Sequence, residues 1–192
     1  MGLTNIKKEL KKLDKAKLVE LIADLYKKNK SVKEFFDFYV NPDESVLFDK
    51  YRDKVFEAFY PRRGYIYKLK DGKQAIYDFK KLGPSSDLLA DLMLFYVETG
   101  VKFTNEFGDI DDAFYSSMGS TYVAALKLMK KESLLEKFAD RARRVVSDTN
   151  GMGWGFHDYL SDVYYTFYTD FSNDASTPDE RSAKGRIVKL RW

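Results

Sequence analysis

The chain reads as an all-α protein: an irregular stack of antiparallel helical hairpins, eight or nine helices in all, with no regular repeat. Three observations predict this. All four prolines, Pro42, Pro61, Pro84 and Pro178, fall between periodic segments, where a residue with fixed φ and no N–H does least damage to a helix. Apolar residues recur at spacings of three and four, as in Leu18, Leu21, Ile22 and Leu25, which lines them up on one helical face. Strand-like alternation is almost absent.

The elements follow in order. Thr4 is placed to cap a short helix ending near Leu13, and Asp14 the next, which carries the Leu18–Leu25 stripe. Ser31 is placed to cap a third, containing Phe35, Phe36 and Tyr39. After Asn41-Pro42 a fourth carries Leu47, Tyr51, Val55 and Phe59. Residues 61–70 are the least helical stretch, and Tyr65-Ile66-Tyr67 with Leu69 suits a short strand or an extended connector. A helix over 71–81 precedes Gly83-Pro84. Ser85 or Ser86 opens a long helix through about Phe107, with Gly100 the place for a bend. Further helices are predicted over 111–131, 133–147 and 156–170. Residues 1–171 are expected to form a single helical domain and 172–192 a flexible polar tail. Tyr115, Met118, Gly119, Tyr122 and Ala125 match the first helix of a tetratricopeptide unit, but Lys131 and Arg143 break the second half of that pattern.

At 192 residues the chain can bury a core without staples. It has no cysteine and one histidine. That excludes disulfides, thiolate nucleophiles, cysteine zinc sites and any site needing two imidazoles from one chain. A metal site would have to be mostly carboxylate, and no metal or cofactor is expected. The net charge of +3, with 33% charged residues, is not the profile of a dedicated DNA-binding domain, so nucleic acid is an unfavoured partner. Lys7, Lys8, Lys11 and Lys12 interrupt any apolar signal core. The longest apolar stretch, 88–97, is broken by Asp91 and falls short of the roughly 20 residues that span a bilayer. A cytoplasmic protein with no membrane partner is expected. Fourteen Tyr, fifteen Phe and two Trp read first as a core whose rim reaches solvent, and second as a partner surface.

The stretch Gly151-Met152-Gly153-Trp154-Gly155-Phe156-His157-Asp158 holds the most distinctive chemistry. Glycines before a helix can expose N–H groups to a phosphate, but standard phosphate motifs follow a strand and none is predicted here. A tight turn with glycine at positive φ is the plainer reading. In the helix that follows, Phe156, Leu160, Val163 and Phe167 share a core face, while Asp158, Ser161, Asp162, Tyr165 and Thr169 share the opposite one. A catalytic reading takes His157, Asp158 and Asp162 as a His–carboxylate set in a recess roofed by Trp154; a solvated helix face explains the same spacing. Trp154 is expected to be buried near the acidic segment 109–112, with Trp154→Ala costing roughly 3–5 kcal/mol and His157→Ala nearly nothing if His157 is functional or merely exposed. The acids in 105–112 are best explained by a cap at Asp109 or Asp111 with further acids at a positive helix end. Asp87, Asp91, Glu98, Lys102 and Asn105 share one solvated face. Arg62 and Arg63, and Arg141, Arg143 and Arg144, are the candidate anion-binding clusters, because a guanidinium grips phosphate with two bonds. Residues 1–33 hold ten lysines against four acids, and 11–25 resemble, weakly, the helix pair of small DNA-binding modules.

Five stretches together resemble an uncharacterised bacterial all-helical family, domain of unknown function 6155: 8–13 (KELKKL), 29–42 (NKSVKEFFDFYVNP), 78–82 (DFKKL), 88–112 (LLADLMLFYVETGVKFTNEFGDIDD) and 153–162 (GWGFHDYLSD). The resemblance runs from residue 7 to about 168. It implies one full-length domain and brings no activity or catalytic residue. The expected function is a non-enzymatic interaction module that takes a protein or peptide partner in an aromatic-rich groove, with Trp154, Tyr164, Tyr165, Arg62 and Arg63 as binding residues. The alternatives are a small hydrolase centred on His157, Asp158 and Asp162 and, below it, nucleic-acid binding through the basic N-terminal helices.

Overall fold

A computed structural model describes residues 2–64 and 66–174, with the side chains of 170–174 outside the description. Among the described residues the chain forms nine α-helices and no strand: α1 (Leu3–Leu10), α2 (Lys15–Lys28), α3 (Lys30–Val40), α4 (Glu44–Phe59), α5 (Leu69–Lys81), α6 (Ser86–Phe107), α7 (Asp112–Lys131), α8 (Leu135–Ser147) and α9 (Phe156–Asp174).

Several starts follow local chemistry. The Asp14 carboxylate accepts from the Lys17 N–H at 2.8 Å, and Asp111 from the Phe114 N–H at 2.8 Å, each satisfying an orphan first-turn donor. Asp43 does the same for Ser45 and Val46. Two predicted caps are displaced. Thr4 lies inside α1, which starts after Gly2 without a side-chain cap. Ser31 lies inside α3, where the Asn29 amide oxygen accepts from Ser31 and Val32. Residues 66–68 are irregular rather than a strand. The helix predicted from residue 133 begins at Leu135, since Ser133 sits at φ +58°. α9 runs to Asp174, three residues into the stretch read as tail; the rest of that tail, 175–192, lies outside the described residues.

α6 is the centre of the packing. It lies against α4, α5, α7 and α8, and α7 in turn against α8 and α9. The predicted stripe of α4 is the buried one: Leu47, Tyr51, Val55 and Phe59. α6 continues through Gly100 as one helix, and the glycine serves packing: a Cβ there would stand 2.1 Å from the Met118 sulfur of α7. The core is aromatic, and its buried tyrosines spend their hydroxyls on partners. Tyr96 pairs with Ser117 at 2.8 Å, Tyr122 donates to the Ala142 carbonyl at 3.0 Å and Tyr168 to the Leu135 carbonyl at 3.1 Å. Burial pushes the Tyr96 hydroxyl up to about 12.

The first three helices differ from the rest. α1, α2 and α3 bury no residue, and their one extensive packing among the described residues is α2 on α3. Leu3, Ile6, Leu13, Val19, Leu21, Ile22, Leu25, Phe35, Tyr39 and Val40 are all exposed. α3 meets the body through Glu34, which pairs with Lys50 and accepts from the Tyr51 hydroxyl, and through Phe38 against the core edge.

Candidate functional site

The glycine turn between α8 and α9 has a specific geometry. Gly151 and Gly155 take φ +82° and +63°, and Trp154 itself takes φ +59°. Gly153 donates its N–H to both Asp109 carboxylate oxygens, at 3.0 and 3.2 Å. A Cβ at Gly153 would lie 2.6 Å from that carboxylate, so only glycine lets the turn sit on the acid. The same carboxylate accepts from the Tyr115 hydroxyl at 2.5 Å. The Tyr115 bond, followed by the Gly153 N–H, holds the Asp109 carboxyl below its ordinary range. Burial, then Asp109, raises the Tyr115 hydroxyl to about 12. Asp109 therefore ties the turn to α7, and Asp111 alone caps that helix.

The turn does not bury its indole: Trp154 is 67% exposed. The flanking glycines permit a sharp reversal, but the left-handed backbone at Trp154 turns the side chain outward. The expected neighbourhood is partly realised, since Trp154 lines a notch with Asp112 of the acidic segment. His157 lies at the boundary of α9, as its position on the helix predicts. Its hydrogen-bond partners are not carboxylates. Nδ1 lies 3.0 Å from the Thr149 hydroxyl and 3.1 Å from the Val146 carbonyl, while Thr149 donates to the same carbonyl at 2.6 Å. A proton on Nδ1 satisfies this set. The imidazole thus closes the C-terminal end of α8, where unpaired carbonyls accumulate. Asp158 and Asp162 are exposed. The two stability expectations are reversed: Trp154→Ala leaves stability within about 1 kcal/mol of the parent, because little apolar area is lost. His157→Ala costs about 1–2 kcal/mol, because the terminus loses its donor. Urea denaturation of both variants checks the order.

The other predicted binding residues fall in separate places. Arg62 is paired with Glu57 at 2.5 Å and lines, with Arg63, a mixed-charge recess beside α5. Tyr164 stacks on Tyr168 with ring centres 4.4 Å apart, and Tyr165 is exposed. These residues do not share one groove with Trp154. A cleft of about 820 Å³ lies over α6 between α4 and α8. There the Arg141 guanidinium grips Glu98 with two bonds of 2.9 Å and Asp91 with one of 2.7 Å, and these bonds raise its pKa further. The arginine read as an anion site is taken up by two of the acids read as a solvated face. Arg52 lies 4.7 Å above the Phe95 ring in the same cleft. These pairings join residues more than forty positions apart, and nothing in local spacing announces them. Among the described residues no three His, Asp or Glu side chains come together as metal ligands, and no helix is long and apolar enough to cross a membrane.

A model described as a family of unknown function (DUF6155) matches residues 1–168. No curated protein and no solved structure matches the chain.

Proposed function

We propose that this chain, which belongs to the family of unknown function DUF6155, is a non-enzymatic interaction module that docks an acidic amphipathic helix of a protein partner on its first three helices. One observation carries this reading: three consecutive helices bury no residue while displaying an apolar set from Leu3 to Val40. Large apolar patches rimmed by polar residues mark interaction sites, and amphipathic helices bind through such i, i+3, i+4 anchors.

Charge selects the partner. Residues 1–33 carry ten lysines and four acids in a chain of net charge +3, so the remainder is net acidic. A basic rim favours an acidic partner through complementarity that raises the on-rate and rejects basic competitors. Its acids would pair at the rim while its leucines cover Leu21, Ile22 and Leu25. The hydrolase reading needs a carboxylate on the imidazole, and the partners of His157 are Thr149 and Val146.

The test is fluorescence anisotropy with a labelled amphipathic peptide of leucines and glutamates. Saturable, salt-sensitive binding is expected, weakened about tenfold or more in the Leu21→Asp/Leu25→Asp variant, whose exposed sites leave the fold intact. No saturable binding, or equal binding by the variant, overturns the reading. So does a preference for the lysine counterpart of the peptide, for phosphatidylserine vesicles or for duplex DNA.

A further inference from the structure

The Trp154 notch has features that its structural role leaves unexplained. A tryptophan in left-handed backbone is a strained position for a bulky side chain, and this one also leaves its indole in water. Around it lies a notch of about 350 Å³, lined by Asp112, Tyr115, Ser116, Ser120, Trp154, Phe156 and Tyr159. Four of these seven residues are aromatic. Tyr115 and Phe156 are buried beneath, with ring centres 4.7 Å apart, and Tyr159 and Trp154 stand exposed above. Tyr159 is seated by a missing side chain: a Cβ on Gly119 would lie 2.6 Å from its ring, so glycine lets the ring lie on the α7 backbone. Asp112, Ser116 and Ser120 recur every four residues and form one polar line along α7. Lys73 holds the far end of that line, donating to Ser120 at 3.1 Å. Asp112 lies eight residues away along the helix, roughly 12 Å.

We infer that the notch is a binding site for an organic cation, an ammonium or guanidinium carried on an apolar stem. Aromatic faces attract a cation through the ring quadrupole, and aromatic rings around a cation form the established cage for quaternary ammonium groups. Asp112 supplies the counter-charge. The site goes beyond the docking reading above, since it lies on α7 and α9 and takes the opposite sign of charge.

The test follows the Trp154 indole N–H by NMR in the full chain carrying Trp192→Phe. It is titrated with choline and with 3,3-dimethyl-1-butanol, its uncharged analogue of the same shape. Saturable shifts with choline are expected, with the neutral analogue about 3–30-fold weaker. Asp112→Asn and Tyr159→Ala are each expected to weaken choline severalfold while leaving the remaining amide spectrum in place. Short peptides carrying arginine, lysine or trimethyllysine identify the source: tighter binding than choline assigns the site to a protein side chain, weaker binding to a free small cation. Equal binding of choline and its neutral analogue would show an apolar notch only. That result, or an absence of saturable shifts with choline and every peptide, overturns the inference, and the comparison needs no substitution within the site.

Discussion

Phe114→Ala is expected to remove about 3–5 kcal/mol of stability, the range for deleting a buried phenyl ring where the surroundings cannot close up. Phe114 is fully buried. Its ring meets four others, Phe59, Phe103, Tyr67 and Tyr115, with centres 5.5–6.1 Å away. The cluster joins α4, α6, α7 and the irregular segment before α5, so the cavity would open where four parts of the chain are held by one another. Leucine at this site should recover part of the loss by filling volume without the edge-to-face contacts. Chemical denaturation measures both. A Phe114→Ala protein within 1 kcal/mol of the parent would mean that this cluster is not the centre of the fold.

Gly100→Val is the second large effect, at about 3 kcal/mol. The reason is overpacking rather than cavity. A Cβ at Gly100 falls 2.1 Å from the Met118 sulfur and 3.2 Å from the carbons on either side of it, and Met118 is fully buried. Because Met118 is fully buried, its side chain can give way only by displacing its neighbours in the core or by parting α6 from α7. The cause is separable from helix propensity, because alanine or valine would otherwise stabilise or leave unchanged a glycine in mid-helix. In a Met118→Ala background the added methyl groups find space, and the two substitutions together should be less harmful than their separate effects added. Additive losses would place the cost in the helix itself.

The fold was legible where local chemistry decides it, and less so where a distant part of the chain does. Asp14 caps as read, because a single suitable side chain stands at that start, and of the two candidates Asp109 and Asp111 it is Asp111 that caps α7. Asn29 and Ser31 both suit a cap, and Asn29 takes the role because it is the residue leaving α2. The stripes of α2 and α4 are equally periodic. Leu47, Tyr51, Val55 and Phe59 are buried, whereas Leu21, Ile22 and Leu25 are exposed; periodicity reports that a face is apolar, not what covers it. The turn before α9 stands where the glycines place it, and its form differs from the expected one. Glycines around Trp154 announced the turn, yet the outward indole follows from positive φ at Trp154 itself, which no neighbour dictates. His157 was read against the acids beside it in sequence, and its partners come from the end of α8. Arg141 and its two carboxylates are each visible as charges in the sequence, and their pairing comes from the packing of α8 on α6.

The central claim is that the first three helices are an uncovered docking surface rather than part of the core. Hydrogen exchange of the full chain, resolved by residue, with and without the leucine–glutamate peptide, tests it most directly. In the free chain the amides of α1 and α2 should exchange by local opening, orders of magnitude faster than those of α6 and α7, which open only with the global fold. Adding the peptide should slow exchange in α1 to α3 and leave α6 and α7 unchanged. Amides of α2 already as protected as those of α6 in the free chain, or peptide protection that appears elsewhere, would contradict the account.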